Sequence, residues 1–198
     1  YSYSGGLEAA IEAGVVHDAA SAERWIADVL EFSLARMEGP ILFSFICSFN
    51  KKQLNEIQIL NERFLASREA AELRAETLQM GYSLNRLCRD LGLGAVPLAE
   101  PSFPAAFAFA ASAWKVEPQA ALQAYLWSWL ENQVMAAVKA IPLGQTDGQR
   151  ILLLLGNGLE VLVKRITTMT DEESGNFAPG LALLSAKHET QYSRLFRS

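Results

Sequence analysis

The sequence predicts an all-α fold: one irregular multi-helix domain over residues 1–170, then a linker, a short helix and an adhesive C-terminal tail over 171–198. Three observations lead there. Apolar residues recur at helical spacing in segment after segment, while no stretch alternates as a half-buried strand does. Gly, Pro and capping residues fall at intervals that suit helix ends. Finally, 198 residues with 51% hydrophobic and 20% charged content are enough for one buried core and too apolar for a mainly disordered chain.

The elements follow in order. Tyr1-Ser2-Tyr3-Ser4-Gly5-Gly6 reads as a turn or extended entry, with Ser4 placed to cap a short helix that carries Leu7, Ala10 and Ile11 and ends at Gly14. Ser21 is expected to cap a second helix reaching about Met37, its apolar side formed by Trp25, Ile26, Val29, Leu30 and Leu34. Gly39-Pro40 reads as a break. Ile41–Phe49 is an almost unbroken apolar run, and its helical surroundings favour a buried helix over a strand. A helix through Leu54, Ile57, Leu60 and Phe64 comes next. A longer one is expected from about Ser67 to Leu91, with a stripe of Leu73, Thr77, Met80, Leu84, Leu87 and Leu91 and a solvent-side pair between Arg68 and Glu72.

Gly92-Leu93-Gly94 ends that helix. After the Pro97–Pro101 loop, Ser102 caps a helix with Pro104 in its first turn and small residues throughout. Pro118 opens the most apolar helix, which must stop before Pro142. Its segment Ala120–Ile141 is the nearest approach to a membrane span, but Glu131 and Lys139 interrupt it, so a buried helix and no membrane are expected. One helix is expected over Asp147–Thr167, with Gly156 and Gly158 marking a kink or a close helix contact. A polar linker at Asp171–Gly180 and a short helix at Leu181–His188 complete the list.

Chemistry is sparse. The chain has 17 basic and 22 acidic residues, a formal charge of −5, which does not suggest a nucleic-acid binder. Cys47 and Cys88 are too few for a disulfide framework or a metal cluster and read as small buried hydrophobes. His17 and His188 are the only histidines; His17 reads as a surface residue, His188 as an interface residue or a nickel contact. No CxxC, HExxH, phosphate loop or nucleophile elbow occurs, so no enzyme, catalytic residue, resident metal or cofactor is expected. The chain opens on Tyr1 rather than Met, so upstream residues are expected, and no signal-peptide pattern is visible.

Two segments stand apart from ordinary core: the aromatic, glycine-bearing start, and an end that gathers Tyr192, Leu195 and Phe196 among Arg194 and Arg197. Aromatic and Arg side chains are common interface anchors, so this tail reads as a docking element.

These segments also carry a family resemblance. Tyr1–Glu8 resembles the opening F/Y-S-x-S-x-G-L-E of UreF-type urease accessory proteins, without the Pro-Gly-Gly that precedes it there, and Glu12–Val16 continues it. Asn61–Leu87, with Ser67-Arg68-Glu69, Glu72-Leu73-Arg74 and Met80-Gly81, is similar to that family's central signature. Lys139–Gln145 resembles its K-x-x-P-x-G-Q segment, and Ala186–Ser198 its terminal signature. One departure is visible: Phe103-Pro104-Ala105 has no histidine where many members carry one, which argues against nickel being stored there.

The resemblance implies an all-α, cytoplasmic, non-hydrolytic chaperone. Such a protein forms a homodimer, bridges the UreD/UreH-type accessory protein to the UreG GTPase, and engages apo-urease for lysine carbamylation and nickel insertion. It carries Tyr3, Ser4 and Glu8 over as partner-binding residues from the opening motif. From the other motifs it carries over Arg68, Glu72, Lys139, Pro142, Gln145, His188, Tyr192, Arg194, Leu195, Phe196 and Arg197. Two alternatives remain: a direct activator of the GTPase through Arg68, Arg194 or Arg197, and a small-molecule enzyme on a helical fold.

Overall fold

A computed structural model describes residues 3–68, 70–170, 173, 175, 179–188 and 195–196, with only the backbone for 179, 187 and 188. Among these residues the structure is helices and connecting turns, with no strand. The elements are α1 (Leu7–Glu12), α2 (Ala19–Val29), a π-helical stretch (Leu30–Glu38), α3 (Gly39–Asn50), α4 (Leu54–Ala66), α5 (Ala71–Asp90), α6 (Phe103–Ala113), α7 (Pro118–Ala140), α8 (Gln145–Gly156), α9 (Leu159–Thr168) and α10 (Pro179–His188). The all-α expectation is met.

The apolar run at 41–49 is helix α3, and it lies at the centre. Leu42, Phe45 and Ile46 are fully buried, enclosed by α4, α6 and α7. Helix α6 packs closely on it because Ala105, Ala106 and Ala108 expose nothing and keep the backbones near one another. Helix α7 forms the other wall through Leu122, Leu126, Leu130 and Val134. No helix among the described residues is long and apolar enough to cross a membrane.

Several local expectations change. Asp18, not Ser21, caps α2: its carboxylate accepts the Ser21 N–H at 2.8 Å, and Ser21 completes a capping box by accepting the Asp18 N–H at 3.0 Å. Likewise the N-cap of α1 is Gly6, and Ser4 acts from outside the helix by accepting the Glu8 N–H at 3.3 Å. Gly39-Pro40 does not break the chain. Helical backbone runs from α2 through the π stretch into α3. Pro40 lacks an N–H, so the carbonyl four residues earlier loses its helical partner; that Arg36 carbonyl accepts instead from Gly175 at 2.9 Å.

Helix α5 starts at Ala71 rather than Ser67, and its buried line is Thr77, Gly81 and Cys88. Leu87 and Leu91, placed in the stripe by periodicity, are exposed. The face is rotated because Gly81 lies directly against the start of α6: a Cβ there would sit 2.0 Å from the Pro101 carbonyl oxygen. The single helix expected over Asp147–Thr167 is two, α8 and α9, divided at Asn157-Gly158. Gly156 serves as a close contact, since a Cβ would meet the Trp127 ring at 2.6 Å.

Candidate partner-docking site

The opening motif is held by three helices and the tail. Tyr3 is buried; its hydroxyl donates to Gln79 Oε1 on α5 at 2.6 Å, and its carbonyl accepts from Asn132 on α7 at 3.0 Å. Gly5 and Gly6 follow with φ of 57° and 84°, a left-handed pair that side chains other than Gly seldom adopt. Space demands glycine at Gly6 as well, because a Cβ would sit 2.6 Å from Leu181 Cδ1 and 3.0 Å from Ser185 Oγ on α10. The tight turn then delivers Glu8 to the first turn of α1, only 6% exposed.

A carboxylate this deep is costly unless its oxygens are hydrogen-bonded. Both are: Oε1 accepts the Leu195 N–H at 2.6 Å and Oε2 accepts the Phe196 N–H at 2.9 Å. Glu8 therefore grips two successive backbone amides of the tail. Bonds to an ionised acceptor are stronger than neutral ones, about 1.5–3 kcal/mol each. Phe196 packs against the core, whereas Leu195 is 70% exposed. The clamp thus buries one apolar side chain and presents its neighbour outward.

Beside this assembly lies a cavity of about 510 Å³, reached by Tyr3, Glu38, Arg68, Glu76, Tyr125 and Gln133. Its floor is an ion pair, Arg68 Nη1 to Glu38 Oε2 at 3.2 Å, with both side chains nearly buried. Tyr125 donates its hydroxyl to Glu38 Oε1, and the Arg68 guanidinium lies over the Phe64 ring at 4.3 Å. Burial, reinforced by the Glu38 charge, pushes the Tyr125 hydroxyl well above its ordinary pKa.

Arg68 is therefore not on the solvent side of α5 and does not form the expected pair with Glu72; it sits in the connector before α5 and reaches inward to Glu38. Glu72 lies on the first turn of α5.

Lys139, Pro142 and Gln145 come together as an exposed corner where α7 turns into α8, anchored from below by buried Ile141 and Leu143. His188 ends α10, and its side chain lies outside the described part. Tyr192, Arg194 and Arg197 lie outside the described residues altogether.

Sequence reasoning missed Gln79, Asn132, Glu38 and Tyr125 as participants. For α7 a signal existed: Asn132 and Gln133 interrupt an apolar helix, and buried amides need partners. Among the described residues no group of three or more His, Cys, Asp or Glu is placed to hold a metal.

Comparison with known proteins bears on this arrangement. The UreF family model matches residues 16–156. The chain belongs to the UreF family. It is 53% identical over 207 residues to the urease accessory protein UreF of Azoarcus sp. (strain BH72), an alignment covering all of this chain and 88% of that protein. It is 50% identical over 206 residues to the urease accessory protein UreF of Dechloromonas aromatica (strain RCB), covering 100% and 90%. The corresponding protein of Janthinobacterium sp. (strain Marseille) is 50% identical over 205 residues, covering 100% and 91%. The UreF model match leaves out both halves of the Glu8 clamp, whereas the full-length alignments span them.

Proposed function

We propose that this chain serves urease maturation as a non-catalytic cytoplasmic adaptor and chaperone for nickel insertion. In this reading it works as a homodimer and bridges the UreD/UreH-type accessory protein and the UreG GTPase on apo-urease. Family membership supports the role in urease maturation. The single observation that supports an adaptor mechanism is the Glu8 clamp: a buried carboxylate spends both oxygens on tail amides and leaves Leu195 facing solvent.

The physical logic is pre-organisation. A free terminus loses conformational entropy when a partner orders it, and holding it beforehand lowers that cost. Residues 171–198 act as the docking segment, with Leu195 as an apolar knob and Arg194 and Arg197 as charged flanks for partner carboxylates. The exposed corner of Lys139, Pro142 and Gln145 is a second contact surface, facing the dimer partner or the GTPase.

Removing the last seven residues tests the reading. Co-purification with the UreD/UreH-type protein is expected to be lost while far-UV helicity is largely retained. Full assembly by the shortened chain would overturn the tail assignment.

A further inference from the structure

We propose that the pole where α3, α5 and α6 end is a docking surface for an acidic segment of a partner protein other than the one that engages the tail. The inference rests on the adaptor reading, since an adaptor needs two separate faces. Gln79, which holds Tyr3, and Leu91 at the pole are twelve residues apart on α5, roughly 18 Å of helix.

The three helix ends are brought together by direct contacts. Ser112 Oγ donates to Asn50 Oδ1 at 2.7 Å, Phe49 and Phe109 stack edge-on with centroids 5.7 Å apart, and Gly94 approaches Phe109. All three helices close in the same way, through bonds from Gln53 N–H to the Ser48 carbonyl, Leu93 N–H to the Cys88 carbonyl and Val116 N–H to the Ala111 carbonyl, each at 2.9 Å. Such a closure needs one residue in the left-handed region, ordinarily glycine. In α5 it is Gly92; in α3 and α6 it is Lys52 at φ 55° and Lys115 at φ 56°. Two lysines therefore occupy strained positions where glycine is easier.

Lys51, Lys52 and Lys115 are exposed, and none forms an ion pair among the described residues. The carboxylates nearby are otherwise engaged or placed: Glu117 caps α7 through the Ala120 N–H at 2.9 Å, Asp90 faces Arg86 at 4.0 Å, and Glu56 sits in the first turn of α4. At the same helix ends, Trp114 closes α6 and Leu91 closes α5, 58% and 56% exposed. Helix dipoles account for a cation at each C-terminus. They do not account for an open tryptophan beside cations in the left-handed region, on a chain of net charge −5. An exposed aromatic next to Lys115, with Lys51 and Lys52 at the neighbouring helix end, fits an acidic segment carrying an apolar side chain.

The double variant Lys52→Gly with Lys115→Gly tests this cleanly, because glycine suits both backbone positions and the fold is retained. Trp114→Ala is the second variant. The full-length chain is titrated against purified apo-urease, UreG, the UreD/UreH-type protein, and phosphatidylserine-containing vesicles, at about 50 mM salt, where exposed charges are weakly screened. One of the three proteins is expected to bind the double variant at least about tenfold more weakly and with a shallower salt dependence, and Trp114→Ala to weaken the same interaction. That protein is expected to be one that the tail-deleted chain still binds. Unchanged affinity of both variants for all three proteins would overturn the proposal, as would a loss seen only with the vesicles. If the tail-deleted chain loses nothing while the lysine variant loses a partner, the tail assignment fails and the pole stands.

Discussion

Two regions of the molecule use left-handed backbone for opposite purposes. At the clamp, the turn at Gly5 and Gly6 has no room for a side chain at Gly6, and its tightness brings Glu8 onto the tail. Beyond the ends of α3 and α6, Lys52 and Lys115 take the same region in open solvent, and their side chains are displayed. The first arrangement holds the chain against itself; the second shows charge to the outside. The contrast teaches that a positive φ is informative only together with what surrounds it.

The largest expected effect breaks the packed side of this contrast. Gly6→Ala must displace Leu181 on α10 and adopt an unfavourable backbone, and Gly81→Ala meets the Pro101 carbonyl oxygen, a backbone atom that cannot swing away. Each is expected to lower stability by about 2 kcal/mol or more, with the loss read as a shift of the urea midpoint at unchanged m-value. Equal stability of either variant would mean that the close contact is not present in solution.

The next effect concerns the buried ion pair. Tyr125→Phe removes the hydroxyl that donates to Glu38, leaving one oxygen of a nearly buried carboxylate without it, and is expected to cost about 1–3 kcal/mol. It also carries a pH signature. The Tyr125 hydroxyl ionises well above its ordinary value of 10.0 in the folded chain, so the folded state holds this proton more tightly than the unfolded state does. Its contribution is complete below about pH 10 and is lost as pH rises through the raised value. Equilibrium unfolding at increasing alkaline pH is expected to show a steeper fall in stability for the native sequence than for Tyr125→Phe. Parallel falls would contradict the assignment.

The smallest effect has the opposite sign. Lys52→Gly and Lys115→Gly relieve left-handed strain and are each expected to raise stability by about 0.5–1 kcal/mol, read from the same denaturant curves. A loss of stability would show that these lysines are held by contacts rather than displayed.

Much of the fold was legible because its signals are local. Ser102 and Pro104 mark the start of α6, Pro118 opens α7, and the residue before Pro142 is extended, as the steric rule requires. What could not be read depends on distant partners. Pro40 signals a break by every local rule, yet helix continues through it because Gly175, far along the chain, takes up the orphaned Arg36 carbonyl. Arg68 and Glu72 have the spacing of a surface pair, but spacing says nothing of Glu38, thirty residues earlier, which captures Arg68 instead. At the candidate site the residues of the opening motif were singled out as a group through resemblance, and Tyr3, Ser4 and Glu8 lie together beside the tail. The grip of Glu8 on the tail was invisible, because backbone amides leave no trace in the identity of Leu195 or Phe196.

If Glu8 sets the tail for docking, the affinity of the Glu8→Gln chain for the UreD/UreH-type protein must fall. Glutamine keeps the size and one acceptor oxygen but loses the charge and the second acceptor. Binding at least about tenfold weaker, equivalent to roughly 1.4 kcal/mol, is expected, with the helical body still folded by circular dichroism. Affinity equal to that of the native chain would contradict it.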